Sequence, residues 1–501
     1  MKSWIPPVAS RADSWSVAEV AGAAESRTGR LRRAVPGTML VGAVALLYAT
    51  LGAAAVHSPG AWRSLGARVP PTAVVETALE DDRATSAKAS DAALASLTTT
   101  TARDVASGEW PELFGPRGDS RSDIQGLDWE WPVERPPQAW QRSVGRGYSS
   151  PIARGQRVFV LQRVADDELV AALDLQTGEL LWEFRWPTDF RCRYEYSDGP
   201  YGTPLALSDR LLAVGATGQL VCLDTATGRC LWRRDLRREF DQPRGPYGFG
   251  SGLLVDEDRV LLNVGAGQRD AGVVAFDLAT GETRWTATDH GAAFTTPRIV
   301  GSGASRRVVV LTDRGLVALE PETGRECWFC EHHSRVTDTI NAVSPLVQGS
   351  RVLLVAGPGA GAVCLEAAAE SYRVVWRDRR VLDSIFNTLV ADRGRVFGFG
   401  ALRQGGATLR RLDLATGRLD WQVASELDRG QALAVDGRLV IVGEYGHLGR
   451  LGLDDPTGNS LEVSAHPVLP SPCYSAPALH HGRLLIRNET RLVCYDLRPH
   501  R

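Results

Sequence analysis

Residues 173–182 read LDLQTGELLW, and four further stretches align with them without gaps: 223–232 (LDTATGRCLW), 276–285 (FDLATGETRW), 319–328 (LEPETGRECW) and 412–421 (LDLATGRLDW). The acid can accept backbone N–H bonds two or three residues on, and glycine takes the positive φ that a tight hairpin requires. Each unit therefore reads as a turn between two strands. The tryptophan four residues past the glycine falls on the outgoing strand, where a large flat side chain can fill the wedge between neighbouring sheets. Asp174, Gly178 and Trp182, Asp224, Gly228 and Trp232, Asp277, Gly281 and Trp285, Gly324 and Trp328, and Asp413, Gly417 and Trp421 are on this reading structural.

Working outward, Trp140, Trp182, Trp232, Trp285, Trp328, Trp376 and Trp421 follow one another at 42 to 53 residues. That is the length of a four-stranded antiparallel sheet with its turns. The acids at the repeat position are Asp174, Asp224, Asp277, Glu320, Glu366, Asp413, Asp454 and Asp496, eight in all. Residues 365–376 (LEAAAESYRVVW) are a weaker copy, and 453–462 (LDDPTGNSLE) keep Thr457 and Gly458 but have no tryptophan. The chain finishes on half a unit, 492–496 (LVCYD), while the repeat region begins with the other half, 138–144 (QAWQRSV). Together they complete one blade and remove the free sheet edges of an open ring. The expected fold is all-β, an eight-bladed β-propeller closed by its N- and C-terminal strands, with seven blades as the alternative if 430–470 does not form a sheet.

Residues 37–57 (GTMLVGAVALLYATLGAAAVH) contain no Asp, Glu, Lys or Arg, enough to cross a bilayer core as one helix. Arg27, Arg30, Arg32 and Arg33 precede them and predict a cytoplasmic N-terminus with an exported propeller. The organisation expected is a tail over 1–36, a transmembrane anchor over 37–57, an Ala/Ser/Thr-rich spacer over 58–107 and the propeller with its lead-in over 108–501. A cleaved signal peptide ending near Ala53–Ala55 is the competing reading. A net charge of −2 over 501 residues gives no electrostatic reason to bind nucleic acid.

The units resemble the repeat of the quinoprotein (PQQ-like) propeller family, over about 140–501. The resemblance implies one of two functions. One branch holds alcohol and sugar dehydrogenases that use pyrroloquinoline quinone with Ca²⁺; the other resembles BamB, a non-enzymatic scaffold of outer-membrane assembly. The lead-in 110–118 (WPELFGPRG) and the phrase 147–151 (GYSSP) look like exported bacterial proteins known by this repeat alone. Family dehydrogenases commonly set two adjacent cysteines against the quinone, and no Cys-Cys pair occurs among the eight cysteines of this chain. The expectation is a non-catalytic scaffold of the bacterial inner membrane, its propeller on the periplasmic side, with an envelope protein or polymer as partner and no cofactor. A quinone-dependent oxidoreductase is the alternative, and a carbohydrate-binding propeller a third possibility.

Two sets of residues are candidates for chemistry. Cys327 and Cys330, followed by His332 and His333, are the metal-like local cluster, although residues three apart on an extended strand face opposite sides. The better candidate is positional. Loops joining one blade to the next open at the mouth of the channel, and they carry Ser/Thr-Pro pairs at Ser150, Thr203, Thr296 and Ser344. Tyr148, Tyr201, Tyr247, Phe294, Phe386 and Tyr474 stand just before the inner strands. Asp198, Asp289, Asp338, Asp383 and Asp428 lie close by, interspersed with Arg146, Arg193, Arg244 and Arg429. Aromatic rings among mixed charge suit a polar ligand or a peptide edge. The bland alternative is that the rings pad the blade tops and the charges are solvated.

Overall fold

The computed structural model describes residues 107–501, apart from 133, 195, 244, 267, 268, 335, 337, 338, 401–405, 500 and 501. The expected tail, transmembrane anchor and nearly all of the spacer lie outside the described residues. Among the described residues no helix is long and apolar enough to cross a membrane.

Eight four-stranded antiparallel sheets form the ring. Blade 1 is built from Ile152–Arg154, Arg157–Val164, Asp167–Asp174 and Leu180–Pro187, in that order from the channel outward. Blades 2 to 7 repeat the order over 205–235, 254–287, 298–331, 346–378, 390–424 and 430–463. Blade 8 takes its three inner strands from Ala478–His480, Arg483–Arg487 and Arg491–Asp496, and its outer strand from Gln138–Ser143. Trp140 pairs with Cys494 across that junction, so the two ends of the domain close the ring as expected. Residues 430–463 do form a sheet, with an outer strand of two residues, Glu462–Val463.

The repeat does what its residue types imply. Asp174 Oδ1 accepts from the backbone N–H groups of Gln176 and Thr177, both at 2.8 Å, and from the Thr177 hydroxyl. Those bonds hold the Asp174 carboxyl below its ordinary pKa. Gly178 sits at φ +73°, and a Cβ there would stand 2.7 Å from the ring of Trp140. Trp140 belongs to the preceding blade, and its Nε1–H donates to the Leu175 carbonyl at 2.9 Å. The wedge is thus a directed contact in which the tryptophan of one blade covers the glycine turn of the next. Trp182 covers Gly228, Trp232 covers Gly281, Trp285 covers Gly324, Trp376 covers Gly417 and Trp421 covers Gly458. In blade 5, where the Thr-Gly pair is lost, Trp328 still donates to the Ala368 carbonyl.

One repeat position differs from expectation. In blade 7 the turn acid is Asp455, which accepts from Thr457 and Gly458 N–H; Asp454 pairs with Arg393 instead. At the seam between blades 7 and 8 no repeat tryptophan is available. The lead-in supplies Trp129, whose Nε1–H donates to Asp436 at 3.0 Å, and Trp131, which lies under the Arg450 guanidinium. Trp110, Leu127 and Trp131 join side chains of blades 7, 8 and 1 in one buried cluster.

Candidate functional site

The inner strands line a channel that is closed differently at its two ends. At the end carrying the repeat turns, residues 108–122 dip into the channel as a plug. Trp110 exchanges two backbone bonds with Ala153 of blade 1, and the Pro111 carbonyl accepts from Ala206 of blade 2. Phe114 reaches blade 4, where the Arg298 guanidinium lies 4.2 Å from its ring centre. Arg121 returns to blade 6, bonding the Ala391 carbonyl and the Asp392 carboxylate. Ser120 and Ser122 bracket Ala434 of blade 7, and the Gly108 carbonyl accepts from His481 of blade 8. A pocket of about 10 Å³ lies beside Glu112, Leu113 and Phe114, at the lower limit of the room one water needs. Sequence reasoning treated this stretch as a lead-in and missed its place; the local signal was the density of Trp, Phe, Pro and Gly in 110–118.

The opposite end is the mouth. Neighbouring inner strands are tied there by the Ser/Thr-Pro hydroxyls. Ala476 N–H donates to Ser150 Oγ at 2.8 Å, Ser150 N–H to Thr203 Oγ1 at 3.0 Å, and Thr296 N–H to Ser344 Oγ at 2.9 Å. Above this girdle the candidate rings meet. Tyr148 stands edge-on to Tyr201 and Tyr474, Tyr201 and Tyr247 both pack on Phe294, and Phe386 stands edge-on to Tyr474. Tyr194 and Tyr196, not singled out from the sequence, join through Tyr247 and Tyr474. The missed signal was their place in the connection that also holds Asp198 and Tyr201. Most of these rings are half-buried, and Tyr247 is 9% exposed. Burial raises the phenol pKa of Tyr148, Tyr201 and Tyr474, so all three remain neutral donors.

The described charged candidates each engage specific partners. Arg429 forms a buried two-bond ion pair with Glu444, and Tyr474 donates its hydroxyl to the same carboxylate at 2.8 Å. The Arg429 guanidinium also lies over the Phe386 and Tyr474 rings. Burial opposes its charge, but Glu444 outweighs burial and holds its pKa above the ordinary value. Asp198 accepts from Cys192 N–H and lies 3.5 Å from Arg146. Asp383 and Asp428 accept from the backbone of Gly359 and Ala407, and Asp289 pairs with Arg314. The Arg193 backbone N–H donates to the Pro246 carbonyl. Arg244 and Asp338 lie outside the described residues. These carboxylates had non-local partners that spacing does not disclose.

Cys327 and Cys330 do not converge with His332 and His333. Cys330 is buried and Cys327 half-buried against the same apolar cluster; His332 bonds the Gly361 carbonyl, and His333 the Ser334 carbonyl. All eight cysteines are free thiols. Burial pushes Cys222, Cys364 and Cys494 up to about 11 and Cys473 up to about 12, far from nucleophilic thiolates. Among the described residues no three His, Cys, Asp or Glu side chains are grouped to hold a metal ion.

A family model described as outer membrane protein assembly factor BamB matches residues 166–398 and 344–499. BamB of Burkholderia pseudomallei (strain K96243) is 27% identical over 345 residues, covering 65% of this chain and 80% of that protein. Polyvinylalcohol dehydrogenase of Sphingopyxis sp. is 25% identical over 301 residues, 51% of this chain and 43% of that enzyme. In fold alone, the chain resembles the crystal structure of BamB from Moraxella catarrhalis (TM-score 0.53, 13% identity, 72% of this chain and 100% of that one). It likewise resembles quinohemoprotein alcohol dehydrogenase from Comamonas testosteroni (TM-score 0.55, 13% identity, 79% and 81%). With eight closed blades and a family match across most of the ring, this chain belongs to the BamB family of PQQ-like repeat propellers.

Proposed function

We propose that this protein is a non-catalytic scaffold of the bacterial cell envelope that engages a protein partner through the aromatic mouth of its channel. The observation that carries the reading is the cluster of mostly half-buried rings from six connections, gathered on the end of the ring that the plug leaves free. Tyrosine offers large contact area with a polar tip at low conformational cost, the chemistry of protein interfaces. Relatives named as outer-membrane assembly factors support a partner from the envelope. The uncharged run 37–57 supports a single-pass inner-membrane anchor with the propeller on the periplasmic side.

The test is partner affinity after crosslinking and purification of the full chain from membranes. Replacing Tyr201 and Tyr247 together by Ala is expected to weaken the recovered partner more than tenfold, while Phe at both positions keeps most of the affinity. Unchanged affinity in a folded double-alanine variant rejects the mouth. The second reading, a quinone-dependent oxidoreductase, is favoured by the similarity to polyvinylalcohol dehydrogenase. Dye reduction with alcohols or sugars after adding pyrroloquinoline quinone and Ca²⁺ would overturn the scaffold.

A further inference from the structure

The outer strand of blade 1, Leu180–Pro187, is the longest of the eight outer strands, with eight residues against two to seven in the others. It is the last strand of its sheet, so one side of its backbone has no neighbouring strand. Which groups lie on that side follows from the register. Thr188 N–H donates to the Asp166 carbonyl at 2.8 Å, and the ladder runs on through Trp186 with Glu168, Phe184 with Val170 and Trp182 with Ala172. Bonded pairs alternate along an antiparallel ladder, so these even-numbered residues turn their backbone groups into blade 1. Glu183 and Arg185 turn theirs, two N–H and two carbonyl groups, to the open edge, where nothing among the described residues bonds to them. Edges are ordinarily blunted by shortness, by proline or by charge. Here Pro187 comes only at the end, and Leu180 and Leu181 are 43% and 49% exposed. The two charges offset each other within the strand, where Arg185 Nε–H donates to Glu183 Oε1 at 2.7 Å.

This edge is complementary to an antiparallel copy of itself. With a two-fold axis through Phe184, Glu183 stands opposite Arg185 of the second copy, and Arg185 opposite Glu183 of that copy. Both pairs are edge-facing, so each exchanges two backbone bonds, and their four side chains lie on one face of the joined sheet. Exposed Leu181 then meets exposed Pro187 at either end. An axis through Glu183 or Arg185 would set like charges directly opposite, which is destabilising, so the charges select the register. Trp182, Phe184 and Trp186 point the other way, into the core shared with blade 2, and need not move. Among the other blades that keep the tryptophan, only blade 2 has opposite charges at the corresponding positions, Arg233 and Asp235. There Asp235 N–H is taken by the Glu239 carboxylate at 3.1 Å, and the chain turns at once into a short helix, Leu236–Phe240. Blade 5 carries Arg377 and Arg379 at these positions, which would repel.

We propose that two copies of this chain join edge to edge along Leu180–Pro187, forming a symmetric dimer through one continuous sheet with Glu183 and Arg185 as its reciprocal ion pairs. The surface is on the outer rim of the ring and does not depend on the reading of the mouth. Sedimentation of the purified full chain tests it. The wild type is expected to dimerise reversibly, and more weakly in high salt. Glu183→Arg leaves only arginines on the edge and Arg185→Glu only glutamates, so each alone should weaken the dimer about tenfold. Mixing the two variants should restore it, because every arginine then meets a glutamate of the other copy. The exchange Glu183→Arg with Arg185→Glu in one chain should restore it as well. Phe184→Cys falls on the axis, where facing Cα atoms are about 4.5 Å apart, and should give a disulfide-linked dimer on mild oxidation. Val423→Cys, at the matching place in blade 6, should crosslink no more than the wild type with its own eight cysteines. A monomeric wild type, a dimer indifferent to both charge reversals, or a mixture no tighter than its components overturns the proposal. Equal crosslinking through Val423→Cys and Phe184→Cys overturns it too.

Discussion

One end of the channel is closed by backbone and the other by rings. The plug ties six blades through main-chain bonds, arginine contacts and an apolar core. The mouth is closed by half-buried aromatic side chains that touch one another edge-on. Backbone pairing has one register, whereas edge-on rings can re-pack on rotation about two side-chain bonds. The difference assigns stability to the plugged end and adaptability to the mouth, the division expected of a rigid scaffold with one working face.

The sharpest break of that comparison is Trp110→Ala. Trp110 is 1% exposed at the base of the plug, so its removal should cost about 4 kcal/mol in urea unfolding. Phe386→Ala at the mouth, half-buried, should cost about half as much or less. Equal costs would erase the distinction. A second, smaller effect probes the turns on the plugged end. Gly178→Ala combines positive φ with a collision on Trp140 and should cost about 2 kcal/mol. Gly155→Ala shares the positive φ but meets nothing within 4 Å, and should cost about 1 kcal/mol. Similar costs for the two glycines would remove the tryptophan contact from the account.

The smallest effect lies at the seam of blades 1 and 2 near the mouth. Glu168 is fully buried, accepting from Ala216 N–H at 2.9 Å and Trp186 Nε1–H at 3.0 Å, and burial raises its pKa to about 7. The folded pKa exceeds the unfolded value, so folding favours the protonated acid. Its contribution is complete below the unfolded pKa and disappears as pH rises through about 7. Stability in urea should fall by about 1 kcal/mol between pH 6 and pH 8, and Glu168→Gln should flatten that slope. A slope unchanged in the variant assigns it to another group.

Legibility followed the range of the interactions. The Asp-x-x-Thr-Gly turn and its tryptophan are local, so five copies disclosed the blades and two half-units disclosed the closure. Blade 7 slipped by one residue because Asp454 and Asp455 are adjacent and no tryptophan fixes the frame. The mouth tyrosines were legible from their place before the inner strands. The plug was not, because Trp110, Phe114 and Arg121 find partners at 153, 298 and 392, and no period links such positions. Arg429 was legible as a mouth residue but not as the partner of Glu444, which lies on the far side of a hairpin.

The split blade has a mechanical consequence. Gln138 is paired with Tyr495, so the incoming and outgoing ends of the closing strands lie at the same end of one ladder. Tension applied between the two termini would peel that ladder one bond at a time rather than shear it, the weaker geometry. The plug stands in series before it: a pull on residue 107 meets the bonds of Gly108, Trp110 and Ser122 first. The segment that fills the channel is therefore also a strain relief, keeping load on the N-terminal side of the chain from reaching the clasp of the ring.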